Sequence, residues 1–225
     1  MKQRTDNPKK EKKAWPTKDA MAQIYEKNLW GSNQSEFYSG LGSHDPEIID
    51  PYLEVVSSFL STFNPRLTVC DLGCGDFNVG SKLIDFTKKY YAIDIVESLI
   101  EYNKTRFKEE DLKFLCLDIA EDSLPVADCV IVRQVLQHLS NAEVARVVKK
   151  LIDFKYVILT EHLPDKNFEP NMDIISGQGI RLKKNSGINL LASPFNLEVY
   201  RQRELLSVRS LNFKGLIVTT LYQLF

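Results

Sequence analysis

The sequence predicts an α/β chain, a doubly wound, mostly parallel seven-stranded sheet with a helical N-terminal lid and an antiparallel C-terminal hairpin. Three observations predict it. Short runs of β-branched and aromatic residues alternate with helix-like stretches from about residue 67 to 160. The first of these runs, Val69-Cys70-Asp71-Leu72, passes straight into Gly73-Cys74-Gly75-Asp76, a bend that a bound group can approach closely. Two further strand-like runs, near 196–203 and 213–222, follow with no long helix between them.

Residues 1–17 read as a disordered basic tail, with Lys2, Arg4, Lys9, Lys10, Lys12 and Lys13 set against Asp6 and Glu11. A single domain covers 18–225. Its first part, 18–63, forms the lid: a helix-like segment from about Lys18 to Trp30, the glycine-containing stretch Tyr38 to His44, and a second helix to about Phe63. Asp45-Pro46-Glu47 opens that second helix as N-cap, first-turn proline and first-turn acid. Strands are expected near 67–71, 89–94, 112–117, 127–133 and 155–160, and helices near 79–87, 97–107 and 141–152. A segment rich in Pro, Asn and Gly, 163–194, is inserted before the last two strands.

Composition excludes several classes. A formal charge of −1 gives no long-range field to draw nucleic acid, so a nucleic-acid partner is not expected. No segment approaches eighteen continuous apolar residues and no secretory run opens the chain, which predicts a cytoplasmic protein without a membrane partner. The oligomeric state is not legible. Cysteines at 70, 74, 116 and 129 lack metal-ligand spacing, and Cys70, Cys116 and Cys129 fall in expected strands as small buried hydrophobes; no metal is expected.

The bend at Gly73 does not fit the dinucleotide fingerprint, because Gly75 is followed by Asp76, Phe77, Asn78 and Val79 before Gly80. Asp71-Leu72-Gly73-Cys74-Gly75 instead resembles the first motif of class I S-adenosylmethionine-dependent methyltransferases, with Phe77 departing from that family's third glycine. The resemblance implies a Rossmann-like fold, S-adenosylmethionine as cofactor and S-adenosylhomocysteine as its product. Tyr90-Tyr91-Ala92-Ile93-Asp94 ends about twenty residues later in a carboxylate able to accept from both ribose hydroxyls, with Ile95 beside it. Asp118, after Leu112-Lys113-Phe114-Leu115-Cys116-Leu117, is placed to accept from the adenine amine while Ile119 packs on the ring. An aspartate at a strand's carboxyl end is also a common turn former and helix cap. Three of them in register with a glycine loop favour a ligand site, since open α/β sheets bind at that edge. Asp71, Gly73, Cys74 and Gly75 complete the expected cofactor loop, and Arg133 and Gln134 emerge after the fourth strand beside the methyl donor.

His138 and His162 invite the role of general base, because imidazole titrates near neutral pH. A histidine beside a helix cap also serves as packing, and a sulfonium is a good enough leaving group for orientation and desolvation to suffice. The lid and the insertion resemble those of bacterial small-molecule methyltransferases, some acting on sugars or glycan precursors. That resemblance implies acceptor contacts from Trp30, Tyr38, Asn171, Asp173, Arg181 and Phe195. The leading function is methyl transfer to a small polar acceptor, a sugar or other metabolite. An RNA or protein methyltransferase using the basic tail and a non-catalytic cofactor-binding module stand as alternatives.

Overall fold

The computed structural model describes residues 15–33, 35–209, 212 and 214–225, so the expected tail lies outside the described residues as far as residue 14. The elements follow as α1 (Thr17–Glu26), α2 (Pro46–Ser61), β1 (Thr68–Leu72), β2 (Lys89–Asp94), α3 (Glu97–Arg106), β3 (Leu112–Cys116), β4 (Cys129–Arg133), α4 (Asn141–Leu151), β5 (Tyr156–Leu163), β6 (Arg201–Val208) and β7 (Leu216–Gln223). They build one sheet in the order β3-β2-β1-β4-β5-β7-β6. The first five strands run parallel, and β7 is antiparallel to both β5 and β6. The order reverses between β1 and β4, and the crevice outside their carboxyl ends is where such sheets take ligands.

Period-two alternation gives the sheet two apolar faces. Cys70, Leu72, Val130, Val132, Val157 and Leu159 pack on one side with Met21 and Ile24 of α1 and Val144, Val147 and Leu151 of α4. Val69, Ala92, Cys129, Ile131 and Ile158 pack on the other with Tyr52, Val56 and Leu60 of α2. As the sequence predicts, the Asp45 side chain caps α2 by accepting from the Glu47 N–H at 3.0 Å.

Four local expectations are corrected. The helix expected at 79–87 is replaced by two 3₁₀ turns, Gly80–Lys82 and Ile84–Phe86. Asn78, Gly80, Ser81 and Thr87 are poor helix formers, and β2 begins too soon for a longer helix to repay nucleation. The first helix stops at Glu26, not Trp30, because Asn28 takes the left-handed conformation at φ 50°. The penultimate strand starts at Arg201, five positions late: Phe195, Leu197 and Val199 are spent packing a loop on the core, and the paired segment is a charged, exposed edge. Cys70 and Cys129 are buried, whereas Cys116 is exposed at the end of β3, where its strand reaches solvent.

Candidate active site

The carboxyl edge of β1, β2 and β4 opens into a cavity of about 540 Å³ roofed by residues 39–43 of the lid. Every residue expected to hold the cofactor lines it, from Asp71 through Gln134. Gly73 (φ 77°) and Gly75 (φ 58°) make the bend after β1. Both are also forced to be bare. A Cβ at Gly73 would stand 2.3 Å from Val135 Cγ2, and one at Gly75 2.5 Å from Ser39 Oγ. The N–H groups of Gly73 and Cys74 are spent on the Ile93 carbonyl at 2.8 Å each, and that of Gly75 on Asp94 Oδ2 at 3.1 Å. The loop thus offers a ligand shape rather than amide donors, and two of its carbonyls are engaged as well, that of Cys74 by Phe77 N at 3.2 Å and that of Gly75 by Asn103 Nδ2 at 2.7 Å.

Phe77 resolves the departure from the glycine pattern. It keeps the left-handed backbone that a glycine would supply (φ 61°), yet its fully buried ring turns away from the cavity to pack on Tyr90, Phe107 and Phe114 at centroid distances of 5.6, 5.1 and 4.9 Å. The cavity wall therefore keeps the close backbone approach of the usual motif.

Asp94 is buried and accepts from Val96 N at 3.0 Å as well as from Gly75. A carboxylate offers about four lone-pair sites, and with the Ile95 N–H also acting on it acceptor capacity still remains for a ribose hydroxyl. Asp118 Oδ1 accepts from Ala120 N at 2.8 Å, which makes it a turn former as well as part of the wall. Ile95, Leu117 and Ile119 supply apolar surface beside these acids. Asp71 accepts from Tyr90 Oη at 2.9 Å, and burial pushes its carboxyl up to about 7. Bare glycines, a buried carboxylate with acceptor capacity to spare and flanking aliphatic walls fit an adenosyl group.

Arg133 and Gln134 face the roof. The Arg133 guanidinium lies over the Tyr52 ring at 4.9 Å and donates to Ser43 Oγ at 3.2 Å and to the Gly42 carbonyl. Gln134 holds a left-handed backbone (φ 57°), and its Oε1 would meet a Cβ at Gly42 at 2.1 Å. Sequence reasoning missed the other half of this clasp. Asp76 Oδ2 accepts from Ser39 N at 2.9 Å and sits 2.6 Å from His44 Nε2, while Asp76 N donates to Ser39 Oγ at 2.8 Å. The position of Asp76, directly after the glycine pair, was the available signal. Ser140 and Glu143 were legible too, as the capping box of α4; Glu143 also takes Thr17 and Ser176, tying α1 and the insertion to the site.

Trp30, His138 and His162 line the same cavity. His138 stacks against Trp30 at 5.3 Å, and its Nδ1 donates to the Gly177 carbonyl at 3.1 Å. Its Nε2 faces Gln137 Nε2 at 3.3 Å and so accepts from that amide. Burial lowers the ring's pKa to about 4. Both ring nitrogens of His138 are thus engaged within the protein, and the ring is neutral at physiological pH. His162 Nε2 donates to the Lys214 carbonyl at 2.7 Å, turning the ring toward the 214–215 bend, and burial lowers its pKa as well.

The other residues expected to meet the acceptor lie outside this wall. Tyr38 stacks on His44 at 4.6 Å, and Phe195 packs on the core. Asn171, left-handed at φ 59°, staples the insertion by donating to the carbonyls of Asn189 and Ser193 and accepting from Asn189 N. Asp173 Oδ1 accepts from Asn141 N at 2.7 Å. Arg181 is buried and donates to the carbonyls of Leu136, Leu139 and Met172 and to Asn141 Oδ1. Asn171, Asp173 and Arg181 thus hold the insertion to itself and to the segment 136–141 after β4. Among the described residues no group of three or more His, Cys, Asp or Glu is placed to hold a metal ion, and no helix is long and apolar enough to cross a membrane.

Residues 69–154 match a family model described as a methyltransferase domain. A 61-residue stretch is 41% identical to malonyl-[acyl-carrier protein] O-methyltransferase of Acetivibrio thermocellus, covering 26% of this chain and 22% of that protein, so the chain spans about a fifth of that relative's length. Among solved structures, the N-methyltransferase NodS of Bradyrhizobium japonicum WM9, in complex with S-adenosyl-L-homocysteine, superposes with a TM-score of 0.66 at 13% identity over 91% of this chain and 98% of that one. Magnesium protoporphyrin IX methyltransferase of Synechocystis PCC 6803, with bound S-adenosylmethionine, gives 0.58 at 17% identity over 95% and 100%.

Proposed function

We propose that this chain, a class I S-adenosylmethionine-dependent methyltransferase by its domain and fold, moves a methyl group by in-line displacement onto a small polar acceptor held under the 39–43 roof. The observation that carries the reading is continuity. The loop after β1, the acids after β2 and β3, and the Trp30 and His138 wall enclose one cavity, so a donor and an acceptor can meet without water between them. When bound, S-adenosylmethionine supplies an activated methyl and a good leaving group. Asp94 would take its ribose hydroxyls, Asp118 and Ile119 its adenine, and the 73–75 bend its methionine end. Tyr25, Ser39, Asp76 and Arg133 hold the roof that excludes solvent.

With His138 committed to Gly177 and Gln137, positioning and desolvation carry the reaction. A sugar or comparable polar metabolite fits the cavity size and its mixed polar and apolar lining. Calorimetry tests the cofactor. S-adenosylmethionine and S-adenosylhomocysteine should bind in the micromolar range and NAD should not; the opposite pattern ends the reading.

A further inference from the structure

Gln134 stands apart from the polar residues around it on the cavity lining. Its carboxamide makes no hydrogen bond among the described residues, and neither of its polar atoms is sealed away from the cavity. Its neighbours are committed: Arg133 to Ser43 and the Gly42 carbonyl, Gln137 to His138 and the His162 N–H, and Glu143 to Thr17, Ser140 and Ser176. The Gln134 backbone is also held left-handed at φ 57°, a conformation uncommon outside glycine, asparagine and aspartate. Its N–H still donates to the Thr160 carbonyl of β5 at 2.7 Å, so the chain breaks from the strand at this residue. The break lays the carboxamide against Gly42 of the roof, where a Cβ would meet its Oε1, Cδ and Nε2 at 2.1, 3.1 and 3.2 Å.

We propose that Gln134 recognises the methyl acceptor by hydrogen-bonding an uncharged group that both donates and accepts, a hydroxyl in the simplest case, an inference that rests on the methyl-transfer reading above. Sheet order gives the side. The acids assigned to the adenosyl group follow β2 and β3 on one flank of β1, whereas Gln134 follows β4 on the other flank, beside β5. Val135, the next residue, packs over the loop after β1, since a Cβ at Gly73 would stand 2.3 Å from its Cγ2. Gln134 therefore lies at the seam between the loop that would carry the methyl donor and the part of the cavity left for the acceptor. Chemistry gives the class. A carboxamide presents an acceptor oxygen and an NH₂ donor, and a hydroxyl can pair with either. An ammonium has nothing to accept the NH₂ and a carboxylate has nothing to give the oxygen, and a buried polar group left unpaired is penalised by its full desolvation cost. Among the described residues no partner fixes which end of the amide faces inward, so it turns to suit the group that arrives. An amide takes up no proton, so the contact places the acceptor and adds no step to the transfer.

Purified protein is to be incubated with S-adenosylmethionine tritiated in its methyl group and a deproteinised metabolite extract of bacterial cells, and label entering small molecules measured. Gln134→Ala should raise the extract concentration needed for half-maximal labelling about 10-fold, with a smaller change in the maximal rate and with S-adenosylhomocysteine affinity, read by calorimetry, unchanged. Gly42 lies in the turn Leu41–Ser43, at a φ open to any residue. Gly42→Ala should therefore fold, push the Gln134 side chain aside and give the same rise, yet add nothing to Gln134→Ala in the double variant. Gln134→Glu and Gln134→Lys each keep one half of the amide's hydrogen bonding, and both should label worse than the parent. Better labelling by the Glu variant reveals a cationic group and by the Lys variant an anionic one, and either overturns the inference. Unchanged labelling by Gln134→Ala overturns it, as do additive effects of the two alanines and a loss of S-adenosylhomocysteine affinity in Gln134→Ala, which would return the residue to the cofactor. An absence of labelled product from parent protein that binds S-adenosylhomocysteine overturns it too, whereas failure of the parent to bind S-adenosylhomocysteine strikes the methyl-transfer reading itself.

Discussion

Gln137 Nε2 stands 3.3 Å from His138 Nε2 while Gln137 Oε1 accepts the backbone N–H of His162 at 3.1 Å, so one buried amide fixes both histidines of the acceptor wall. Only one orientation of the amide satisfies both contacts, and with the Gly177 carbonyl on Nδ1 it sets the His138 tautomer.

The consequence for kinetics is direct. His138, its pKa lowered by burial to about 4, is neutral across the physiological range. Turnover should show no imidazole limb between about pH 6 and about pH 8, and His138→Gln should cost less than about 10-fold in kcat. A general base would cost about 10²–10⁴-fold on removal. A loss of that size, together with disappearance of a limb near pH 6 to 7, would restore the base.

Asp94 should govern cofactor affinity. It supports Gly75 and Val96 through their N–H groups and keeps lone pairs for a ligand, so its removal strips a charge-assisted acceptor from the ribose and loosens the bend at the same time. Asp94→Ala should weaken S-adenosylhomocysteine binding by about 1.5–3 kcal/mol, with Asp94→Asn in between because one acceptor oxygen survives. Unchanged affinity in a folded Asp94→Ala protein, measured by calorimetry, removes this residue from the site.

The contrast between Asp94 and Arg181 explains what the sequence could disclose. Asp94 sits at a strand end beside its own loop, and the strand, the acid and the glycine pair are neighbours along the chain or one strand apart; the parallel core strands and the residues that line the cavity after them were therefore readable. Arg181 looked like a loop cation facing a ligand, but its guanidinium is spent on carbonyls of residues 136, 139 and 172, contacts that exist only once the insertion has folded back. Asn171 is similar. Composition reveals that such a loop is polar, and cannot reveal whether its polar groups face a ligand or its own backbone.

Phe77 makes a test of stored strain. A non-glycine residue at positive φ costs about 1–2 kcal/mol, and burial of the ring among Tyr90, Phe107 and Phe114 offsets it. Phe77→Ala should destabilise by about 3–5 kcal/mol. Phe77→Gly loses the same ring but relieves the backbone, so it should be about 1 kcal/mol less harmful than Ala, the reverse of the usual order. Urea titrations of both variants decide it, and a glycine variant weaker than the alanine one would show that the backbone at 77 is not strained.

Glu161 sets a pH dependence of stability. It is buried on β5, and its oxygens lie near the N–H groups of Leu136 and Gln137 and opposite the Arg181 guanidinium, yet neither makes a hydrogen bond of good geometry. Desolvation outweighs the neighbouring cation and pushes its carboxyl up to about 8. A carboxyl with a raised folded pKa holds its proton in the native state after the unfolded chain has released it, so the native state is favoured below the unfolded value and loses that advantage as pH rises toward about 8. Glu161→Gln keeps the neutral shape and removes the titration. Relative to the parent, it should be nearly neutral near pH 5 and more stable near pH 9, by on the order of 1 kcal/mol or more, or about 2–4 °C per kcal/mol in a chain of this size. Thermal melts across that range check the sign: if the variant's advantage fails to grow with pH, Glu161 is ionised in the folded protein and Arg181 stabilises it more strongly than burial opposes it.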